Sequence, residues 1–359
     1  MNTGTFLVNR SDFADCLFKN LEPPVLGANE VLFRIGSYAF TSNNITYAVV
    51  GDVMGYWNFF PAEVPYGVIP VWGFAEVVKS NNVAIKVGEH FYGYWPMGIY
   101  LKVLPIRTKG HGFVDGTAHR SKLPPLYNYY AKAPKSVTKE KEGYYSVIKP
   151  LFTTAYVNYR FLEEERFFNA SQIVLTSASS KTALGIAYML FANRGGHGKK
   201  IIGLTSKGNI NFVSGTGFYD QVIAYDDLRE ELDVEATTVV DLAGNTVLLH
   251  NLGNLLKDKL KFTSLIGLAD WKSAGSMKEI PNSKFFFAPD HAQKLYADLG
   301  PDEANKRINQ AQAEFTKRLS KWIALVFITS HKDLKELYMG MLNGKVNPSK
   351  GYIVTINQE

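Results

Sequence analysis

From Ser171 onward, short apolar runs alternate with longer stretches whose apolar residues recur every three to four positions. The runs Ser171–Ser177, Lys199–Thr205, Gly217–Tyr225, Thr237–Ala243 and Lys261–Leu268 read as strands. Between them, Ala183–Asn193, Ile210–Thr216 and Asn245–Leu256 read as helices, the first stopped by Gly195-Gly196. Pro150–Phe168 reads as a further helix with Pro150 at its start. This alternation predicts βαβ units and a mainly parallel sheet. Right-handed crossovers then put helices on both faces of the sheet.

The first 145 residues follow another pattern. Glu30–Ile35, Val68–Val78 (interrupted by Pro70 and Gly73) and Tyr100–Pro105 are short strand-like runs between turn residues. Many short strands of this kind predict a small barrel or sandwich. Phe40–Val50 carries Asn43-Asn44, which also reads as a turn. Thr108–Lys141 is an irregular excursion in which Pro124-Pro125 forbids a regular helix, and its end, Lys132–Lys141, reads as an exposed linker. Near the C-terminus, Asp302–Leu325 and Leu334–Leu342 read as helices and Gly351–Ile356 as a last strand. The expected organisation is 1–145 as a barrel domain, 146–290 as a nucleotide-binding domain, and 291–359 as helices and a strand returning to the first domain.

Composition narrows the function classes. Of 359 residues, 46% are hydrophobic, and the formal charge of +6 is too modest and too interrupted to suggest nucleic-acid binding. Cys16 is the sole cysteine, which excludes an intrachain disulfide and a cysteine-based zinc cluster. The N-terminus lacks a basic segment followed by an apolar run, and no stretch reaches the length of a membrane span. A cytoplasmic protein without nucleic-acid or membrane partners is the expectation.

The most informative segment is Val174-Leu-Thr-Ser-Ala-Ser-Ser-Lys-Thr-Ala-Leu-Gly185, a buried strand, a turn of small residues and the start of a helix. Such a turn presents backbone N–H groups and a helix N-terminus to a phosphate. Ser177, Ser179, Ser180 and Thr182 offer hydroxyls and Lys181 a point charge. Gly185 stands where a dinucleotide fingerprint ends, but Ser180 and Thr182 replace its two earlier glycines, and Thr182 crowds the close approach that glycine permits. The alternative reading is an ordinary strand-to-helix corner in which Ser180 or Thr182 caps the helix and Lys181 is exposed. At the end of the second strand, Gly203-Leu-Thr-Ser-Lys-Gly208 has no acid to hold a ribose diol; Thr205, Ser206 and Lys207 suit the extra phosphate of NADP instead.

The phrases Asn43-Asn-Ile-Thr-Tyr47, Gly55-Tyr-Trp-Asn-Phe-Phe-Pro61, Pro70-Val-Trp-Gly-Phe74 and Ser177-Ala-Ser-Ser-Lys-Thr-Ala183 carry a resemblance over nearly the whole chain. The chain resembles the DUF2855 family, within or related to the zinc-free medium-chain dehydrogenase/reductase superfamily of quinone and enoyl reductase-like proteins. The resemblance implies an α/β protein made of a GroES-like β-barrel domain and a Rossmann domain with a doubly wound parallel sheet. It also implies a coenzyme in the crevice between them and a homodimer formed through the Rossmann sheet. Tyr225 would be a cofactor-facing aromatic, with Ala243 and Gly244 beside the nicotinamide ribose. The zinc-dependent Gly-His-Glu phrase is replaced by Gly73-Phe-Ala-Glu76, so no metal is expected.

Without zinc, hydride transfer needs a group that stabilises developing oxyanion character. Tyr47 is the first candidate, with Asn44 to orient substrate or the nicotinamide amide and Asn43 to support that loop; in zinc-free relatives an Asn and a following Tyr occupy the corresponding barrel loop. The alternative for Tyr47 is aromatic packing. Tyr56, Trp57, Phe59 and Phe60 are candidates for an apolar substrate wall or for barrel core. Arg120 and Tyr127 lie in the excursion and are candidate substrate contacts, with an exposed salt bridge as the alternative for Arg120. The expected function is NADPH-dependent reduction of a quinone, enone or activated carbonyl. Two alternatives are a reductase-shaped protein that binds a nucleotide or small molecule without turnover, and an acyl-processing partner protein.

Overall fold

The computed structural model describes residues 4–109, 111–134, 138–267, 280 and 282–356. The predicted strand end Leu268 and positions 135–137 of the predicted linker lie outside the described residues. Two compact units partition the chain, Met1–Val147 with Leu325–Glu359, and Ile148–Ala324. The expected third segment, 291–359, is therefore divided between them. No helix among the described residues is long and apolar enough to cross a membrane.

The first unit begins with β1 (Thr5–Asn9), β2 (Cys16–Lys19) and β3 (Val31–Phe40), followed by α1 (Ser42–Val49). Strands β4 (Tyr66–Gly67), β5 (Pro70–Ser80), β6 (His90–Pro96), β7 (Tyr100–Val103), β8 (Pro105–Lys109), β9 (Gly112–Asp115) and β10 (Tyr129–Ala133) complete its N-terminal part. Asn43-Asn44, expected as a turn, lies in the first turn of α1. The helix starts there because the Asn44 Oδ1 accepts the Thr41 N–H at 2.7 Å, satisfying a donor that the helix itself leaves unpaired.

Helix α2 (Lys139–Glu164) begins eleven residues before Pro150, so the expected start at this proline is wrong. Pro150 sits inside the helix and removes one i→i−4 bond. Val147 and Ile148 are 1% and 2% exposed, and tertiary burial of that apolar stripe outweighs the local proline signal.

The second unit carries β11 (Gln172–Leu175), α3 (Lys181–Ala192), α4 (Arg194–His197), β12 (Lys200–Thr205), α5 (Ile210–Gly215), β13 (Gln221–Ala224), α6 (Leu228–Glu231), β14 (Thr237–Asp241), α7 (Thr246–Leu256) and β15 (Leu260–Leu265). It ends with β16 (Ser283–Phe285), α8 (Ala288–Leu299) and α9 (Pro301–Leu319). The six strands form a parallel sheet in the order β13-β12-β11-β14-β15-β16. Numbered from β11, this is the 3-2-1-4-5-6 order of the dinucleotide-binding Rossmann fold, whose ligands sit at the carboxyl ends of the strands where the order reverses. Here that reversal lies between β11 and β14. Val174, Ile202 and Val239 stand in register across three strands and share one core with Leu248, Leu252 and Leu256 of α7.

Strand β16 and helix α8 went unforeseen. The helix expected over Asp302–Leu325 stops at Leu319, and β17 (Ala324–Ile328) follows. With α10 (His331–Leu342) and β18 (Lys350–Val354) it returns to the first unit, where the large sheet runs β17-β18-β3-β5-β6-β10-β9-β8 with β7 also paired to β3. The architecture is thus α/β, a GroES-like β-barrel domain and a Rossmann domain.

Gly185 sets how closely α3 approaches α2. A Cβ there would lie 2.8 Å from the Ala155 Cβ and 3.4 Å from a Phe152 ring carbon. In an unconstrained helix interior, Gly→Ala is stabilising. Here we expect Gly185→Ala to lower unfolding free energy by about 1–3 kcal/mol through overpacking, measured by urea denaturation. A stabilised variant would show that the two helices can move apart at no cost.

Candidate functional site

In the second unit the candidate site is the turn between β11 and α3. Ser177 adopts φ +50°, a left-handed conformation uncommon outside glycine. Three side chains from the next two crossovers hold the turn. The Tyr225 hydroxyl accepts the Ser177 N–H at 3.0 Å, Tyr219 donates its hydroxyl to the Ala178 carbonyl at 3.0 Å, and the Asn209 amide donates to Ser179 Oγ at 3.2 Å. Gly203 on β12 makes this possible, because a Cβ there would lie 2.9 Å from both Ala178 and the Tyr219 ring. Tyr219, Asn209 and Gly203 were missed in the sequence. The available signal was the glycine inside Ile-Ile-Gly-Leu, since glycine within a strand often marks a close backbone approach.

This geometry corrects several expected roles. Ser180 is the N-cap of α3, its Oγ accepting the Ala183 N–H at 3.2 Å, so its hydroxyl serves the helix. The Ser177 amide is committed to Tyr225, and Tyr225 to the turn. Gly185 packs helices. Thr205 is 1% exposed and is not presented at the strand end, whereas Ser206 and Lys207 are exposed there. The amides of Ala243 and Gly244 are spent as well. Ala243 N–H reaches Thr176 Oγ1 at 3.1 Å and Asp241 Oδ1 at 3.2 Å, and Gly244 N–H reaches Asp241 Oδ2 at 3.0 Å. Asp241 also accepts the Thr176 hydroxyl, at 2.5 Å. Burial pushes the Asp241 carboxyl up, and these bonds pull it back. Asp241 and Thr176, absent from the expected set, lock β11 to β14 at the reversal point.

What the turn retains is suited to an anion. Among the described residues, the Ser179 and Thr182 amides have no hydrogen-bond partner. Lys181 is the first residue of α3, and burial pushes its half-buried ammonium down to about 8. A phosphate-bearing group fits this donor set: two backbone N–H groups, a helix N-terminus and one cation. No acid stands at the end of β12, where Ser206 and Lys207 offer a hydroxyl and a second cation.

In the first unit, Tyr47, Tyr56 and Tyr127 come together in one buried aromatic cluster with Tyr94, Phe59, Phe60 and the partly buried Trp72. Rings of Tyr47 and Tyr56 lie 4.6 Å apart, those of Tyr94 and Tyr127 4.7 Å, and those of Trp72 and Tyr94 4.9 Å. The Tyr56 and Tyr127 hydroxyls pair at 3.0 Å, and the Trp72 indole N–H donates to the Tyr47 hydroxyl oxygen at 3.3 Å. Burial raises every phenol in this group, and that of Tyr92 stacked on Trp72, above its ordinary range, with Tyr92, Tyr94 and Tyr127 raised well above it. Tyr47 is raised by burial too, but Trp72, Asn43 and Tyr94 each pull it back. It is therefore a neutral phenol whose ionised form has local support. Trp72, Tyr92 and Tyr94 were not among the expected residues; alternate aromatic positions on β5 and β6 were the signal.

Two other expectations in this unit fail, and a third resolves to its alternative. Asn44 is 3% exposed and bonded at both ends, to the Thr41 N–H and, from its Nδ2, to the Pro70 carbonyl at 2.9 Å, so it orients the backbone and not a ligand. Arg120 is 1% exposed. It pairs with Asp115 at 2.7 Å, donates to the Phe59 carbonyl and the Tyr130 hydroxyl, and stacks on Phe60. It is neither a substrate contact nor an exposed salt bridge, but a buried tie. Trp57 and Phe59, 1% and 0% exposed, are core, as is Phe60 beneath Arg120.

Comparisons with known proteins agree with this architecture. CurA from Vibrio vulnificus, solved in complex with NADPH, is 15% identical, with 96% of this chain and 95% of that chain covered and a TM-score of 0.60. The quinone oxidoreductase from Coxiella burnetii is 10% identical, over 98% and 99% of the two chains, with a TM-score of 0.61. YhdH from E. coli K-12 with bound NADPH is 12% identical, over 98% and 100%, with a TM-score of 0.58. At these identities the likeness is one of fold. A search of curated protein sequences found no match. The family described as "Protein of unknown function (DUF2855)" matches residues 38–347, and the chain belongs to that family.

Proposed function

We propose that this protein is an NADPH-dependent reductase acting on a quinone, enone or activated carbonyl. The observation that carries the reading is the anion-suited turn at the strand-order reversal of a 3-2-1-4-5-6 parallel sheet. Structures of the same fold bound to NADPH or NADP support it. In this reading the Ser179 and Thr182 amides and Lys181 hold the diphosphate, and Ser206 with Lys207 holds the additional ribose phosphate. The bound coenzyme supplies hydride. Tyr47 donates a hydrogen bond, and then its phenolic proton, to the substrate oxygen that gains charge. Tyr56 and Tyr127 contribute the apolar wall that excludes water. The proposal includes a cytoplasmic homodimer without nucleic-acid partners.

A second reading, binding of a nucleotide or small molecule without turnover, is favoured by the burial of Tyr47, 6% exposed within the aromatic cluster where it packs as core.

Fluorescence titration separates these from a protein that binds no coenzyme. NADPH is expected to bind more tightly than NADH, with Lys207→Ala removing the difference; an unchanged preference overturns the role of Lys207. Lys181→Met is expected to weaken NADPH roughly tenfold, the scale of one charged hydrogen bond. In the unaltered protein, affinity should hold below pH 8 and fall above it, as the Lys181 ammonium loses its proton and its attraction for phosphate. A flat profile from pH 7 to 9 argues against that contact.

NADPH oxidation over a panel of quinones and enones distinguishes reductase from binder. Tyr47→Phe should lower kcat by about 100-fold, the usual worth of a positioned acid, with coenzyme affinity retained. Full turnover by that variant removes Tyr47 from the chemistry.

A further inference from the structure

A phenol that gives up its proton needs its oxygen held and its developing charge supported. Tyr47 sits on α1, where burial alone opposes ionisation. Across from it on β5, Trp72 presents an indole N–H, a group that can donate but never accept. That N–H reaches the Tyr47 oxygen at 3.3 Å. The bond occupies one lone pair of the oxygen, alongside the support that Asn43 and Tyr94 also give its ionised form.

Trp72 is itself well fixed. Its ring stacks on Tyr92 at 5.7 Å and 18°, and it contacts Tyr94 at 4.9 Å and Tyr127 at 5.9 Å. Its register on β5 is set on both sides, opposite Ala39 of β3 and Tyr94 of β6. The other tryptophan of this sheet pair, Trp95, spends its N–H on the Gly73 carbonyl at 2.9 Å, a purely internal bond. Trp72 differs in donating to a hydroxyl that retains a proton to give.

We propose that Trp72 is a positioning residue for Tyr47, holding the phenol oxygen as an acceptor so that its O–H serves as the donor to substrate. The proposal rests on the assignment of Tyr47 above. In the step it assists, the O–H bond of Tyr47 breaks, its proton goes to the substrate oxygen, and the electron pair remains on the Tyr47 oxygen. There the Trp72 N–H stabilises it until solvent returns a proton.

The test uses the full chain with 3-fluorotyrosine placed at position 47 and its ionisation followed by fluorine NMR, which needs neither coenzyme nor turnover. Trp72→Phe keeps the aromatic ring and removes the N–H. It is expected to move the fluorotyrosine titration midpoint upward and to lower kcat about tenfold with little change in KM. Trp95→Phe, which disturbs the same sheet without touching Tyr47, should leave the midpoint in place. An unmoved midpoint in Trp72→Phe, or an equal shift in Trp95→Phe, overturns the proposal. If Tyr47→Phe retains full turnover while Trp72→Phe still shifts the midpoint, the hydrogen bond is real but the reductase role of Tyr47 fails, so the two failures are distinguishable.

Discussion

A polar atom removed from water must find a partner, and this requirement sorts the candidate residues of both units. In the second unit, Thr176, Asp241 and Tyr225 absorb the amides of Ser177, Leu242, Ala243 and Gly244. In the first, Asn44 spends its amide on a backbone N–H and a backbone carbonyl, and Arg120 spends Nε and Nη1 on a backbone carbonyl, a tyrosine hydroxyl and a buried carboxylate. Among the described residues, the groups the fold leaves unused in this turn are few: the two amides of Ser179 and Thr182 before α3. Function is read from what remains after the fold has taken its share.

That sorting also explains how much was visible beforehand. The alternating pattern after Ser171 named five of the six parallel strands, because strands buried on both faces read as continuous apolar runs. Strand β16 was missed because three residues carry no period. The false helix start at Pro150 came from weighing a local signal above the burial of Val147 and Ile148, which periodicity over a longer window would have caught. Tyr47, Tyr56 and Tyr127 were named from the sequence and do come together. Arg120 has its carboxylate partner Asp115 only five residues away, but nothing local announced that both would be 1% exposed or that Arg120 would also donate to the Phe59 carbonyl, 61 residues distant. Whether a polar side chain is committed elsewhere is a property of pairs distant in sequence.

The two glycines missing from the dinucleotide fingerprint acquire a physical account here. In the usual fingerprint, glycine lets the backbone turn tightly and approach the ligand. In this chain the tightness comes from elsewhere. Gly203 lets the turn settle on β12, Ser177 takes the left-handed conformation, and Tyr219, Asn209 and Tyr225 fasten three consecutive residues. Side-chain hydroxyls and an amide thus impose from outside the geometry that glycine permits from within.

Lys181 lies between the two substituted positions. A cation at the first position of a helix meets the positive end of the helix dipole, and partial burial adds a desolvation penalty. Both effects disfavour the ammonium, and burial holds it down to about 8. An anion bound at the turn reverses each of them, since it lies nearer the charge than the dipole does and replaces the lost water. An uncharged side chain at that position would carry no charge in either state and would contribute no charge to the difference on which affinity depends.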